Sequence, residues 1–291
     1  MNSGVVDAID LSWRLAAQIK GYGGSLLLSS YNLERQPMMI RALIRSHRHL
    51  FEHIKLAQTL GPHPEILESD SAEGKDLRDK VDDFIQKSEP ETRDRGIELD
   101  LRHYHSPIVF QDQSVEPPWE VRKYMPSTRP GSRVPHVFLK DQKTSTYDLL
   151  GEEFTLIHFV DSASISDQEN QDPNTNNHGR DVSDILLATA SSRGIPLKRV
   201  HIQDEPHVHK IWERDLVLVR PDTHVAWRGN ASDAASLTSE DAHEIWDVVT
   251  GHTLSPHADP SPPAYVENER VYGEIVREFL GSEKDVQQVG V

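Results

Sequence analysis

Histidine is the residue type that most directly suggests chemistry in this sequence, which contains 16 of them. Two pairs have the His-x-His spacing: His103 with His105, and His207 with His209, the latter close to His201. On a strand this spacing puts two imidazoles on one side, where they could bind a metal ion. Neither pair has a carboxylate arranged as a recognisable third ligand, and such pairs arise often by chance in a histidine-rich chain. We therefore expect no metal site.

Nucleophile and phosphate chemistry leave weaker signals. The 291 residues include no cysteine, which excludes disulfides, thiolate metal sites and a cysteine nucleophile. The glycine-rich segment 21–24 superficially suggests a phosphate loop, but it follows a helical pattern, whereas a dinucleotide loop follows a strand and opens a helix. We interpret it as a helix stop. No G-x-G-x-x-G, Walker, G-x-S-x-G or H-E-x-x-H motif occurs, and no spacing selects a Ser-His-Asp triad, so no catalytic residue is assigned.

The start of the first predicted helix is better suited to binding an electron-rich ligand. Gly4 permits close approach of the backbone. The N–H groups at a helix start have no intrahelical acceptor and can donate to such a ligand. Asp7 is expected in the first turn, where a carboxylate favours the positive end of the helix.

Two N-terminal helices must position this region. The first has an apolar repeat at helical spacing, which consists of Ala8, Leu11, Leu15 and Ile19. The second is predicted to begin near Glu34, with Pro37 in its first turn. Its expected buried stripe is Met39, Leu43, Leu50 and Ile54, and its expected wet side is Arg41, Arg45 and Arg48. Both apolar stripes are interpreted as core, and they need a partner surface.

The rest of the chain changes pattern twice. Residues 65–135 are charged and then proline-rich, with a weak strand pattern over 97–110. From 136 to 251, strands alternate with helices and include a predicted hairpin around Pro221-Asp222-Thr223, and this β-α-β-β-β-α order fits a thioredoxin-like α/β domain. Within it, 161–180 is polar and predicted to be a long loop. Residues 252–291 are predicted to be a tail with one helix, which carries Val271, Ile275 and Leu280.

Composition limits the class of partner. The formal charge is −16, which disfavours nucleic-acid and membrane-surface binding, since both need an excess of Lys and Arg. No apolar run approaches the ~20 residues of a transmembrane helix. The N-terminus has no basic-then-apolar signal pattern, so we expect a cytoplasmic protein.

Five segments, in order, resemble the FAD-dependent aromatic-ring monooxygenases, a group that includes the phenol hydroxylase-like enzymes. The first, M-N-S-G-V-V-D-A-I-D-L-S-W-R-L-A-A at 1–17, resembles the third flavin motif of this family, G-M-N-T-G-x-x-D-A-x-N-L-x-W-K-L-A. The second, 26–37, is similar to the family's L-L-x-x-Y-x-x-E-R-x-P segment. The others are 95–107, P-G-S-R-V-P-H at 130–136, and the hairpin L-V-L-V-R-P-D-T-H-V-A-W-R at 216–228.

The resemblance implies a fold, an activity and cofactors. Residues 1–64 would be the C-terminal helices of the FAD-binding domain, followed by the connecting region and the thioredoxin-like domain, which in the family serves packing and commonly lacks redox cysteines. The family hydroxylates phenolic or polyketide-like aromatic substrates with NAD(P)H and O₂, often in secondary metabolism. The flavin-facing positions carried over are Asn2, Ser3, Gly4 and Asp7, and Glu34 and Arg35 match a structural pairing near that helix.

The departures from the family pattern define the alternatives. Asp10 replaces the family's asparagine, and Thr223 replaces the hairpin glycine. The family's nucleotide-binding part, with the adenine and pyrophosphate site, precedes the motif with which this chain begins, so we expect a truncated monooxygenase. The alternative is a catalytically inactive accessory or dimerisation module, either as a homodimer or with a separate FAD-domain chain. In a truncated chain the N-terminal helices would lack the sheet they cover, so rapid hydrogen exchange is expected at residues 5–19.

Overall fold

The computed structural model of the chain describes residues 2–88, 93–103, 105–160 and 183–256. The predicted loop at 161–180 and the predicted helix of the tail lie outside these residues. By contact density, the described chain divides into two compact units. The first contains the residues up to Gln36, Leu99–Trp119 and those from Tyr124 onward, and the second contains Pro37–Glu98 and Glu120–Lys123. The four predicted segments are not tested by this division and stay a prediction.

The N-terminal part is helical, as predicted. Helix α1 spans Asn2–Lys20 and ends where the glycine-rich segment 21–24 begins. Helix α2 spans Ser25–Leu60, so the prediction that it starts near Glu34 is wrong, and Pro37 lies inside it instead of in its first turn. A proline removes one backbone donor, but the helix on both sides of it continues. No helix in the described part of the chain has the length and hydropathy needed to cross a bilayer.

Neither helix buries the full apolar stripe that the sequence predicts. On α1, Leu15 and Ile19 are 43% and 86% exposed, whereas Trp13, Arg14 and Ala17 are buried. On α2, Leu43, Leu50 and Ile54 are exposed, while Arg45 is buried and its guanidinium is paired with Asp94. The interpretation of both apolar stripes as core is therefore wrong for this chain. Charged side chains can occupy a buried face when each finds an opposite charge there.

The connecting region is partly helical. A 3₁₀ helix at Pro64–Glu68 is followed by α3 at Ala72–Lys87 and α4 at Arg95–Glu98. Ser71 caps α3 by accepting a hydrogen bond from the backbone N–H of Gly74 at 3.1 Å. The strand predicted over 97–110 is wrong, since among the described residues of that range only Arg102 forms a β-bridge, with Ser132.

The C-terminal part folds around a four-stranded mixed sheet, which confirms the predicted α/β class. The elements are β1 (Phe154–Val160), α5 (Asp184–Ser192), β2 (Leu197–Gln203), α6 (Pro206–Trp212), β3 (Leu216–Val219), β4 (Val225–Gly229), α7 (Ala231–Ala234) and α8 (Ser239–Val249). The sheet order is β2-β1-β3-β4. β1 pairs with β2 in parallel and with β3 antiparallel, and β3–β4 is the predicted hairpin.

Both faces of this sheet are covered, which explains why β1 carries large apolar side chains on both of its sides. One face packs Phe154 and Leu156 against α5, α8 and α1, with the Phe154 ring edge-on to Trp13 at 6.0 Å and to Trp246 at 5.4 Å between centroids. The opposite face packs Ile157 and Phe159 against α6. Helix α1 is thus part of the same hydrophobic core as the C-terminal sheet.

The backbone after α8 crosses the corner between α1 and α2. The N–H of Gly24 donates to the carbonyl of Thr250 at 2.8 Å, and the N–H of Leu26 donates to that of Gly251 at 2.9 Å. A Cβ on Gly24 would lie 2.3 Å from the Gly251 oxygen, and one on Gly251 would lie 2.5 Å from the Leu27 nitrogen. Glycine is required at both positions for this approach. The crossing fixes the start of α2 against the C-terminal domain.

Candidate functional site

The predicted flavin-facing positions lie at the N-terminal end of α1. Asn2, Ser3 and Gly4 form its first turn, where the sequence predicted a loop leading into the helix. Ser3 is half-buried and Gly4 is exposed. A Cβ built on Gly4 would meet nothing within 4 Å. The turn therefore presents unpaired backbone N–H donors beside open space, which suits an electron-rich ring edge.

Asp7 lies in the second turn of α1 and not in the first. Its Oδ1 accepts a hydrogen bond from Nε of Arg35 on α2 at 2.7 Å, with the Arg35 side chain 7% exposed. This ion pair ties the start of α1 to α2. Arg35 thus contacts the helix through Asp7, and the pairing that the resemblance implies for Glu34 and Arg35 stays a prediction.

Beneath this pair lies a set of five charged residues, which we call the buried ion cluster. It consists of Asp10 and Arg14 from α1, Glu34 from α2, and Arg220 and Asp222 from the β3–β4 turn. Each of these residues is 8% exposed or less. The cluster joins α1, α2 and the hairpin of the C-terminal sheet, and Arg14 also donates to the backbone carbonyl of Leu27 on α2 at 2.6 Å.

Glu34 is the central acceptor of the cluster. Its two oxygens accept from both terminal nitrogens of Arg220 at 2.7 Å each. It also accepts hydrogen bonds from Arg14 and from the Ser106 hydroxyl. Burial alone would raise the pKa of Glu34, but the guanidinium groups of Arg14 and Arg220 outweigh it and hold the pKa below its ordinary value. Glu34 is therefore ionised.

Asp10 is the least satisfied carboxyl of the cluster. Its Oδ1 accepts from Arg14 at 3.2 Å, from the Trp13 indole N–H at 3.4 Å and from Arg220 at 3.5 Å. Its Oδ2 is buried without a hydrogen-bond partner. Burial, together with the negative charges of Asp222 and Glu34, raises the pKa of Asp10 to about 7.

Two imidazoles lie against the cluster. The rings of His103 and His224 are 4.0 Å apart between centroids, and His103 Nε2 lies 3.8 Å from Glu34 Oε2. Burial and the neighbouring His224 and Arg220 lower the pKa of His103 well below its ordinary value, so this ring is neutral. His105, its partner in the predicted pair, is exposed and lies in neither of the ligand groups described below.

The second predicted histidine pair lies on a helix, so the expectation of a strand there is wrong. His207 and His209 are in α6, which opens with Pro206 at its first position. His207 Nε2 contacts the Phe138 carbonyl at 2.9 Å, and His209 Nε2 lies 2.9 Å from Asp215 Oδ1. His201 is on β2, edge-on to His158. These histidines are engaged separately.

Two groups of buried ligand atoms in the described residues lie within 4.8 Å of one another: His103, Asp222 and His224, and Asp10, Glu34 and Asp222. Asp222 belongs to both groups, and its two oxygens already accept from Nε and Nη2 of Arg220. The two guanidinium groups supply the positive charge that a cation would bring, and would repel one. We assign no metal to either group.

The buried ion cluster was not predicted from the sequence, although all five of its residues stand in segments that resemble the family. Asp10 and Arg14 stand in the first flavin segment, Glu34 in the second segment, and Arg220 and Asp222 in the hairpin segment. The available signal was three acidic and two basic residues placed between buried apolar positions. Their meeting point depends on tertiary packing, since Glu34 and Arg220 are separated by 186 residues.

Comparison with known proteins relates both parts of the chain to one family. The family model of an FAD binding domain matches residues 1–46, and that of the C-terminal domain of aromatic-ring hydroxylases matches 127–247. The "FAD-dependent monooxygenase opdD" of Penicillium oxalicum is 34% identical over 87% of this chain and 44% of the relative. The "Phenol 2-monooxygenase" of a Pseudomonas species is 27% identical over 90% and 43%, respectively.

A solved structure agrees with these relatives. The rebeccamycin biosynthetic enzyme RebC with reduced flavin is 30% identical, covers 86% of this chain and 41% of its own, and superposes with a TM-score of 0.63. The chain thus spans less than half the length of the relatives it matches. With a segment of the FAD-binding domain packed on the hydroxylase C-terminal domain, the chain belongs to the family of FAD-dependent aromatic-ring monooxygenases, of which it represents a part.

Proposed function

We propose that this chain contributes the flavin-facing helix start and the C-terminal domain of an FAD-dependent monooxygenase. The reaction would hydroxylate a phenolic or polyketide-like aromatic substrate with NAD(P)H and O₂. FAD supplies the redox chemistry when it is bound. The observation that carries the proposal is the first turn of α1, which lies inside the FAD-binding match and is open to a ring at Gly4.

The residues of this turn fit the ring end of the cofactor. The backbone N–H groups of Asn2, Ser3 and Gly4 would donate to the pyrimidine edge, and the helix dipole would favour negative charge there. Asp7 would contribute through its ion pair with Arg35, which fixes the start of α1 against α2. We assign no residue here to the adenine or the pyrophosphate, and none as catalytic acid or base.

The first experiment tests ring binding by this turn. Flavin fluorescence is titrated with the purified chain, with Gly4→Leu and with Ser12→Leu. A Cβ at Gly4 meets nothing within 4 Å, so we expect Gly4→Leu to fold normally. The leucine side chain would occupy the space where the flavin ring binds. We therefore expect the affinity for flavin, measured by fluorescence quenching, to fall at least about tenfold. Ser12 is exposed on α1, and Ser12→Leu is the matched control that keeps binding. Equal quenching by both variants would contradict the placement.

NAD(P)H oxidation in the presence of FAD and a phenol then distinguishes the two functions. Flavin binding with turnover supports the monooxygenase. The alternative, a non-catalytic accessory module, has one observation in its favour, namely that α1 shares a hydrophobic core with the C-terminal sheet. Absence of both quenching and turnover for the purified chain would favour that module.

A further inference from the structure

The buried ion cluster has more carboxyl groups than guanidinium groups. Asp10, Glu34 and Asp222 are 2%, 3% and 8% exposed, and the guanidinium groups of the cluster are those of Arg14 and Arg220, which are 0% and 2% exposed. Two imidazoles lie beside them, with His224 Nδ1 3.5 Å from Asp222 Oδ1 and His103 Nε2 3.8 Å from Glu34 Oε2. The neighbouring His103 is neutral because burial lowers its pKa, so it does not balance the third carboxylate. An isolated charge sealed from water is costly, and a group in that position usually binds a proton instead.

The hydrogen bonds indicate which carboxyl holds the proton. Both oxygens of Glu34 accept from guanidinium groups, and so do both oxygens of Asp222, which also accepts the backbone N–H of His224 at 3.2 Å. Asp10 uses only Oδ1 for its contacts with Arg14, Trp13 and Arg220. Its Oδ2 is buried without a partner, and the Asp10 and Asp222 carboxyl groups lie close enough to share a hydrogen bond.

We propose that Asp10 keeps its proton in the folded chain up to near-neutral pH and donates a hydrogen bond from Oδ2 to Asp222, so that one buried proton holds α1 on the β3–β4 turn. When the proton leaves, an uncompensated carboxylate remains in the sealed cluster and the attachment of α1 to the C-terminal sheet weakens. The inference concerns the packing of α1 and holds whether or not the chain binds a flavin. It makes this attachment sensitive to pH.

Every charged or titratable group around Asp10 enters this balance. They are Arg14 on α1, Tyr31 and Glu34 on α2, Arg220 and Asp222 on the turn, and His103 with His224 behind them. Burial and the negative charge of Asp7 raise the pKa of Tyr31, so it stays protonated throughout the neutral range. Between pH 3.8 and about 7, Asp10 is therefore the carboxyl group of the cluster that is protonated in the folded chain and ionised in the unfolded chain.

Asp10→Asn is the isosteric test, because an amide presents N–H at the place of the protonated oxygen. The unfolded chain releases the Asp10 proton near pH 3.8, whereas the folded chain keeps it to about 7. The stability that this proton contributes is thus full below pH 3.8 and is lost as the pH rises through about 7. The unfolding constant of the natural chain should therefore rise relative to that of Asp10→Asn by about tenfold per pH unit between these values, and then level off.

The experiment is urea unfolding from pH 4 to 9 of the natural chain, Asp10→Asn and the control Asp83→Asn, an exposed aspartate on α3. The control should follow the natural chain at every pH. The ratio of the unfolding constant of the natural chain to that of Asp10→Asn should change a hundredfold or more between pH 4 and 9. A ratio that stays constant across this range would overturn the proposal. NMR of isotope-labelled aspartate side chains, measured on the folded natural chain, gives a second reading. One carboxyl carbon, absent in Asp10→Asn, should titrate near neutral pH, and assignment of that titration to Asp222 would equally overturn the proposal.

Discussion

At the scale of single residues, the molecule depends on buried charges that are satisfied by one another. Glu34 accepts from two guanidinium groups and one hydroxyl, and its side chain is 1% exposed. Removing one partner of a buried ion pair costs more than the pair itself contributes, since the remaining charge stays desolvated. Glu34 is therefore the residue whose charge the cluster can least lose.

Glu34→Gln should destabilise the chain by about 3–5 kcal/mol, the usual cost of breaking a buried ion pair. The amide keeps the shape but leaves Arg14 and Arg220 with too little negative charge. Equilibrium urea unfolding measures the loss. Glu65→Gln is the matched control, because the Glu65 side chain is 69% exposed and the change should stay within about 0.5 kcal/mol. Equal stability of the two variants would contradict the central role of Glu34.

The loss of stability at acid pH also depends on Glu34. The folded pKa of Glu34 lies below its ordinary value of 4.5, because the two guanidinium groups outweigh burial. Its contribution is thus complete above pH 4.5 and is lost as the pH falls through the lowered value. In urea unfolding below pH 4.5, the natural chain should lose stability faster than Glu34→Gln. Parallel curves would mean that Glu34 is not selectively stabilised in its ionised form.

At the scale of elements, the β3–β4 turn carries conformational strain. Thr223 has φ 70°, in the left-handed region, which is unusual for a β-branched residue. The left-handed conformation costs about 1–2 kcal/mol, and glycine avoids this while losing about 0.5–1 kcal/mol of chain entropy. Thr223→Gly should therefore raise thermal stability by about 0.5–1 kcal/mol. Thr223→Ala, which keeps the Cβ, is the control, and an equal effect of both would exclude backbone strain as the cause.

The close approach of the backbone after α8 to the corner between α1 and α2 can be tested with two glycine variants. Gly251 and Gly194 both have positive φ, 80° and 66°, but a Cβ on Gly251 would lie 2.5 Å from the Leu27 nitrogen, whereas one on Gly194 meets nothing within 4 Å. Gly194→Ala should cost about 1 kcal/mol from φ alone. Gly251→Ala should cost about 1–3 kcal/mol more, because the backbones must separate. Calorimetric unfolding measures both, and equal costs would argue against the close crossing.

The sequence predicted elements best where local signals were complete. The helix end at the segment 21–24 and the β3–β4 hairpin both followed from glycine, proline and alternating apolar residues. The start of α2 was misplaced because Pro37 was read as a helix-start residue, although the helix continues through it. The buried faces of α1 and α2 were assigned wrongly because the periodicity rule assumes that the apolar face is the one packed.

The buried ion cluster could not be predicted for a related reason. Sequence patterns are interpreted on the assumption that charged side chains face water. That assumption does not predict that the guanidinium groups of Arg14 and Arg220 both lie on the Trp13 ring, 5.0 and 5.1 Å from its centroid. The family resemblance located the segments that carry these residues, but it gave no contacts between them. Only the packing of α1 on the sheet brings residues 10 and 222 into one group.

At the scale of the whole molecule, α1 has a packed face and an open face. The packed face includes Trp13 and Ala17 in the core of the C-terminal sheet, so part of α1 is covered although its apolar stripe is exposed. The amides of residues 10–18 should therefore exchange slowly, because opening the helix there breaks the core. The amides of the first turn, which lack intrahelical acceptors, should exchange fast. Hydrogen-exchange mass spectrometry tests this, and fast exchange over all of 5–19 would restore the original expectation.

The open face of α1 predicts association with another surface. Val5, Ile9 and Ile19 lie on one side of the helix and are 57%, 50% and 86% exposed. We expect this stripe to bind the FAD-binding part that the relatives carry outside the matched segment, supplied as a separate chain from the Penicillium oxalicum relative. Burying three such side chains contributes more than about 3 kcal/mol, so V5S/I9S/I19S should weaken binding at least about 100-fold.

The control for this association replaces three exposed apolar residues that lie outside α1. Val115, Leu254 and Ile85 are 90%, 61% and 55% exposed, and V115S/L254S/I85S should bind as the natural chain does. Analytical ultracentrifugation of each variant with the FAD-binding part gives the affinities. A general hydrophobic effect would weaken both triple variants equally, whereas a specific surface on α1 weakens only the first. Concentration-dependent self-association of the natural chain that disappears only in V5S/I9S/I19S would assign the stripe to a second copy of this chain, and the expectation of an FAD-binding partner would then be wrong.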